Sequence, residues 1–268
     1  MNLQGLSIAQ IRNYLKQLFS QESFIVSEHD DRYKLESIVK HLEKDNRKGS
    51  KNLLNFANRI IGSQVHWHQM MAHETELIGK GYNLIGGVDE VGRGPLAGPV
   101  VSASVILDPS VFIPGINDSK KLSESKRESL YAKIQQKAIA VGIGIINAET
   151  IDRINILRAS LEAMCQAVDA LSVQPDFLLV DGQHCPNLSI PMKPIIGGDG
   201  LSLSIAAASI IAKVTRDRIM GDLDKIYPNY GFSRNKGYPT PDHFSALERF
   251  GPCEIHRKSF APVAEKLR

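Results

Sequence analysis

The spacing of apolar residues changes character near residue 80. Before that point they recur at helical intervals: Ile8, Ile11, Leu15 and Leu18 follow a capping box made by Ser7 and Gln10, and Leu35, Ile38, Val39 and Leu42 repeat the period. A third helix is predicted from about Ser50 through Ile60, Ile61 and Trp67 toward Leu77, after the polar linker Lys44–Lys51. From Tyr82 onward, short runs rich in Val and Ile alternate with longer amphipathic stretches. The predicted strands are Leu84–Val88, Val100–Leu107, Ala138–Ile146, Phe177–Val180 and Met192–Ile196. The predicted helices are Ser123–Lys137, Asn155–Leu171, Ser204–Tyr227 and Pro241–Phe250. The pattern therefore predicts an α/β domain over 81–268, with a helical C-terminal portion, preceded by a small all-α extension over 1–80.

Composition narrows the class. A chain of 268 residues that is 43% hydrophobic can bury a full core. Cys165, Cys185 and Cys253 lie far apart and have no Cys-x-x-Cys spacing, so neither a disulfide framework nor a structural zinc site is expected. A reducing, cytoplasmic setting fits them. No apolar run approaches the ~20 residues needed to span a bilayer, so no membrane association is expected. A monomer is the expected form. Net charge divides as +2 over 1–80, −3 over 81–212 and +4 over 213–268. An acidic middle beside a basic C-terminal part suits metal ligands beside a phosphate backbone.

Three predicted strands deliver an aspartate at or near their ends. Asp89 ends Ile85-Gly86-Gly87-Val88, Asp181 ends Phe177–Val180, and Asp199 follows Met192–Ile196. Sites gather at strand ends in open sheets with parallel strands, so these carboxylates can converge although the sequence separates them. With Glu90 they make four acidic groups without a histidine or cysteine partner, which favours Mg²⁺ or Mn²⁺ over zinc and leads to a two-metal phosphodiester hydrolase. Taken singly, each Asp-Gly is more simply a turn or a helix cap. His66, His68 and His73 read as ordinary surface histidines, since 66 and 68 fall on different helix faces.

The motifs Gly87–Pro99, Asn117–Ser123, Leu179–Gly182, Ser204–Asp217, Lys236–Pro239 and His256–Phe260, in that order, resemble bacterial ribonuclease HII (type 2 ribonuclease H) over about 81–265. The resemblance implies a ribonuclease H-like fold, a mixed five-stranded sheet flanked by helices. It also implies hydrolysis of RNA in RNA–DNA hybrids and incision 5′ of single ribonucleotides embedded in duplex DNA, leaving 3′-hydroxyl and 5′-phosphate ends. Matched position by position, Asp89, Glu90, Asp181 and Asp199 are the catalytic and metal-binding quartet, with Asp89 bridging both ions. Gly92, Arg93 and Gly94 match the motif that contacts the ribonucleotide. Tyr238 matches a tyrosine that stacks on the following deoxyribose, and Lys120, Lys213 and Arg216 are candidates for phosphate contact. Two departures stand out. Gly197-Gly198 precedes Asp199 where many relatives have lysine and glycine, and the helical extension is absent from many of them. The alternatives are a ribonuclease HIII-like hybrid nuclease, expected to have glutamate in place of Asp199, and a non-catalytic nucleic-acid-binding module on the same fold.

Overall fold

The computed structural model describes residues 5–20 and 30–267, and the chain falls into two compact units. One comprises the described residues up to Met71 together with Asp108–Gly115. It holds helices α1 (Ile8–Ser20), α2 (Asp30–Glu43) and α3 (Ser50–Met70). Their apolar stripes close on one another: Ile11, Leu15, Leu35, Ile38, Leu42, Leu53, Ala57 and Ile60 form a single buried cluster. The side chain of Leu18 lies outside the described residues. The capping box forms as the sequence requires, with the Ser7 amide donating to Gln10 Oε1 at 2.8 Å and the Gln10 amide to Ser7 Oγ at 3.2 Å. The Phe112 ring meets Trp67 edge-on, with centroids 5.1 Å apart, which brings part of the 108–115 loop into this unit.

The predicted third helix ends early. α3 stops at Met70 and a separate helix, α4 (Ala72–Ile78), belongs to the second unit, so the division falls at Met71 and not near residue 80. The cause is tertiary: Leu77 joins Ile85, Leu179, Ile195 and Ile205 in a buried cluster, and Glu74 is buried at the start of a long helix of that unit.

The second unit is built on five strands, β1 (Ile85–Val91), β2 (Val100–Ile106), β3 (Ala140–Ile146), β4 (Phe177–Asp181) and β5 (Met192–Ile195), in the order β3-β2-β1-β4-β5. β1 is antiparallel to β2 and parallel to β4, and β4 is parallel to β5. Its remaining helices are α5 (Glu124–Lys137), α6 (Ala148–Ile154), α7 (Ile156–Asp169), α8 (Leu203–Ile226), α9 (Phe232–Asn235), α10 (Pro241–Phe250) and α11 (Ala261–Ala264). The expected helix over 155–171 is preceded by the unforeseen α6, because Asn155, at φ 67°, breaks the run and caps α7 with its side chain on the Arg158 amide.

The central strands are covered on both faces. Met164 and Val168 of α7 pack against Val88, Ile106, Leu178 and Val180. The opposite face carries α8, which approaches so closely that a Cβ on Gly87 would stand 2.1 Å from the Ser204 carbonyl carbon. Only glycine fits there, and the result is a long helix lying directly on the strand that carries Asp89.

Candidate active site

The parallel register of β1 and β4 pairs Val88 with Val180, which puts Asp89 and Asp181 side by side on the face that α8 covers. Asp89 is 5% exposed and Asp199 7%. The Glu90 amide donates to Asp89 Oδ1 at 2.7 Å, and Ser102 Oγ donates to the Asp89 carbonyl at 2.7 Å. α8 supplies Ser209, whose hydroxyl stands 2.8 Å from Ser119 Oγ and partly offsets the rise in the Asp89 pKa. Asp199 sits on the 3-10 turn Gly198–Gly200, and the Gly198 amide donates to Asp181 Oδ1 at 2.7 Å, tying the third acidic position to the second.

Three of these carboxylates, Asp89, Glu90 and Asp181, are pushed above the usual carboxylate range. Burial pushes Asp89 well above the usual carboxylate range, and the charges of Glu90 and Asp181 push it further. Burial is also the main cause of the rise at Glu90, which the Arg93 guanidinium, 3.2 Å away, partly offsets. Asp181 is raised by burial and by Asp199, against the Gly198 amide and Lys120. Two cations already lean on the cluster, Arg93 on Glu90 and Lys120 on Asp199 Oδ2 at 2.9 Å. Among the described residues no three acidic, histidine or cysteine side chains are yet arranged to chelate an ion. The donor chemistry nonetheless fits hard divalent cations: oxygen ligands only, mutually repelling, with lysine and arginine standing in as countercharge.

Gly92 begins the neighbouring loop at φ +98°, and a Cβ there would lie 2.3 Å from Arg216 Nε and 2.8 Å from the Pro99 carbonyl. Two buried arginines hold this loop from beneath. Arg257 donates to the carbonyls of Gly92, Arg93 and Gly98, and Arg216 to those of Ala97, Pro99 and Lys236. Burial lowers their pKa values to about 9 and about 10, so both stay charged at neutral pH. Arg93 itself is left with half its side chain in solvent.

The structure corrects one expected phosphate contact and alters another. Arg216 is fully buried with its donors committed to backbone carbonyls, so it cannot reach a phosphate and is instead a support of the loop. Lys213 Nζ is paired with Asp217 at 2.7 Å and is largely buried, which leaves it little freedom toward an external anion. The Lys120 side chain is mostly exposed and stands beside Asp199. Tyr238 is 38% exposed, with the Arg216 guanidinium carbon 5.8 Å from its ring centroid, and its ring edge stands 3.9 Å from where a Cβ on Gly94 would be.

Several residues escaped the sequence reading. Glu74 Oε1 accepts from Ser202 Oγ at 2.6 Å, Ser204 Oγ at 2.6 Å and the Ser204 amide at 2.9 Å, anchoring the N-terminus of α8 just beyond Asp199. A glutamate in a helical segment gives no sign of this. Ser209 was hidden in an apolar helix. Arg257 stood within a recognised motif, yet nothing in the motif tells an inward arginine from an outward one.

A family model described as Ribonuclease HII matches residues 86–263. Ribonuclease HII of Bacillus anthracis is 48% identical over 248 residues, covering 91% of this chain and 94% of that protein. Ribonuclease HII of Lactobacillus acidophilus is 46% identical over 260 residues, covering 97% and 99%, so that relative shares the N-terminal extension. The crystal structure of ribonuclease H2 from Pyrococcus horikoshii superposes with a TM-score of 0.58 at 26% identity, over 69% of this chain and 97% of that one. The chain belongs to the ribonuclease HII family, metal-dependent endoribonucleases that act on RNA–DNA hybrids.

Proposed function

We propose that this enzyme also incises duplex DNA on the 5′ side of a single embedded ribonucleotide, and that Asp89, Glu90, Asp181 and Asp199 do so with two divalent ions, Mg²⁺ or Mn²⁺. The observation that carries the reading is the electrostatic linkage of carboxylates from separate parts of the chain, Asp89 with Glu90 and Asp181, and Asp181 with Asp199. The chemistry such ions supply when bound is a lowered pKa for the attacking water and neutralisation of the departing 3′ oxygen. Asp89, deepest of the four and flanked by Glu90 and Asp181, is the bridging ligand in this reading. No protein nucleophile is required.

The chain's own groups provide recognition. Arg257 takes up the carbonyls of Gly92 and Arg93 on the inner side of the loop, which favours presentation of the loop's other backbone groups to a 2′-hydroxyl. Tyr238, partly exposed beside Gly94, stacks on the deoxyribose that follows, which separates an RNA–DNA junction from continuous DNA. Lys120 holds the adjacent phosphate. Residues up to Met71 form a non-catalytic accessory that aids stability or binding. Among the described residues no helix is long and apolar enough to cross a membrane, and three free cysteines fit a reducing, cytoplasmic setting.

The test compares cleavage of three duplexes, with one embedded ribonucleotide, a continuous hybrid strand or DNA alone, each with Mg²⁺, Mn²⁺ or EDTA. Metal-dependent incision of the first two, 5′ of the lone ribonucleotide in the first, is expected. An enzyme that cleaves the hybrid but leaves the single ribonucleotide intact contradicts the proposal.

A further inference from the structure

His243 and His256 are almost fully buried, at 0% and 1% exposure, and their Nε2 atoms lie 3.0 Å apart. Each ring's other nitrogen meets a backbone group whose role is fixed. The Cys253 amide, which can only donate, lies 2.9 Å from His256 Nδ1; the Tyr238 carbonyl, which can only accept, lies 2.9 Å from His243 Nδ1. The direction of the chain is therefore set from both ends. His256 Nδ1 carries no proton, so the neutral ring holds its proton on Nε2 and donates to His243 Nε2. His243 in turn holds its proton on Nδ1 and donates to Tyr238. Burial keeps both rings neutral, His256 with a pKa lowered to about 4. Cys253 Sγ lies 3.1 Å from His256 Nδ1, but burial drives that thiol up to about 11, so it is not a thiolate ligand. Among the described residues no cluster of this kind is arranged for a metal.

The relay joins two parts of the site. His256 lies in a backbone bridge with Ala97, its neighbour Arg257 donates its amide to the Leu96 carbonyl, and the Leu96 amide donates to the Gly237 carbonyl. At the far end, the Tyr238 carbonyl receives the Thr240 amide at 2.8 Å as well as His243. One end thus stands on the loop that carries Gly92-Arg93-Gly94, and the other on the exposed tyrosine. Neither histidine is near enough to solvent to touch substrate.

We propose that His243 and His256 are positioning residues that hold Tyr238 at a fixed offset from the Gly92-Arg93-Gly94 loop, so that stacking and 2′-hydroxyl reading engage the same nucleotide. This role rests on the reading of Tyr238 as the stacking residue. It makes the pair determinants of turnover at an embedded ribonucleotide without contributing contacts to the duplex.

The test has two arms on the full-length chain. Long-range proton–nitrogen NMR of the unmodified protein reads the tautomers directly: His256 protonated on Nε2 and His243 on Nδ1 are expected, and the reverse assignment at either ring overturns the relay. The second arm measures kcat on the single-ribonucleotide duplex and Kd for the same duplex in EDTA, for His243→Leu, His243→Asn and Tyr238→Ala. Leu removes the donor to Tyr238, whereas the Asn amide can occupy the Nδ1 position. His243→Leu should lower kcat by about tenfold with little change in Kd, and His243→Asn should recover most of it. Equal kcat for His243→Leu and the parent, with Tyr238→Ala impaired, overturns the positioning role alone, as does an equal loss in the Leu and Asn variants. Unimpaired turnover in Tyr238→Ala overturns the reading of Tyr238 and the positioning role together. Should His243→Leu fail to fold, the NMR arm and the Asn variant decide.

Discussion

Lys120 Nζ donates to Asp199 Oδ2 at 2.9 Å, placing a largely exposed ammonium on one of the two most buried carboxylates of the cluster. Lys120 is carried by the turn Ser119–Lys121, whose capping residue Asp118 accepts the Lys120 amide. This lysine supplies countercharge to Asp199, and under the proposed two-metal reading it is the group that an ion taken up there would displace. Lys120→Ala should therefore tighten Mn²⁺ binding in the absence of nucleic acid by up to about fivefold, the worth of an exposed ion pair, while raising KM for duplex. Titration calorimetry with Mn²⁺ checks the first effect. Weaker Mn²⁺ binding would show that Lys120 does not compete at Asp199.

Gly92 and Gly221 make a contrasting pair. Gly92→Ala puts a methyl group 2.3 Å from Arg216 Nε and forces alanine to φ +98°, whereas a Cβ on Gly221, within α8, meets nothing within 4 Å. The first should cost about 2 kcal/mol or more and suppress cleavage. The second should add about 0.5–1 kcal/mol of stability. Urea denaturation of both variants decides the point. A harmless Gly92→Ala would mean that the loop is not clamped as its contacts indicate.

The position of Glu74 sets where the chain can be shortened. Its carboxylate takes three hydrogen bonds at the head of α8, so Glu74→Ala in the full chain should destabilise by about 3 kcal/mol. A protein beginning at Ala72 should fold and cleave at saturating substrate, with any loss appearing as weaker, more salt-sensitive binding. One beginning at Lys80 should melt at lower temperature. Identical melting of the two truncations would remove α4 from the catalytic unit.

Acid lability follows from the buried histidines. Because the folded-state pKa of His256 lies below its ordinary value of 6.5, the unfolded chain takes up the proton more readily. That stability is fully present above pH 6.5 and is lost as pH falls toward about 4, to an extent on the order of 3 kcal/mol. His256→Gln should be less stable than the parent at pH 7, and the gap should narrow as pH falls through that window. Melting curves of both proteins at stepped pH measure it; a constant difference would assign the acid sensitivity elsewhere.

The sequence made the fold's outline legible wherever local pattern and tertiary packing agreed. The capping box at Ser7 and Gln10, the strand that precedes Asp181 and the helix Pro241–Phe250 all follow from periodicity and caps. It misled where a distant contact overrode the local signal. The helical pattern through Met71 has no breaker, yet burial of Glu74 and Leu77 in the other unit ends the helix there. The strands that carry Asp89 and Asp181 were readable from their apolar runs, and their parallel register sets the two aspartates side by side. Whether Arg216 faced solvent was not readable, since an arginine on a long helix looks the same in sequence whether it meets water or the carbonyls of Ala97, Pro99 and Lys236. The His243–His256 chain escaped because its two ends are backbone groups that leave no trace in residue type.

The most direct measurement is cleavage of a single-ribonucleotide duplex by Asp89→Asn at saturating Mg²⁺ or Mn²⁺, with Tm recorded for the same protein. Asparagine keeps the shape and removes the charge that sits between Glu90 and Asp181. The account predicts a folded variant, more stable than the metal-free parent because carboxylate repulsion is relieved, with cleavage reduced by at least about 10³-fold and Tm less responsive to metal. A folded Asp89→Asn protein that turns over near the parental rate would contradict the two-metal assignment at its centre.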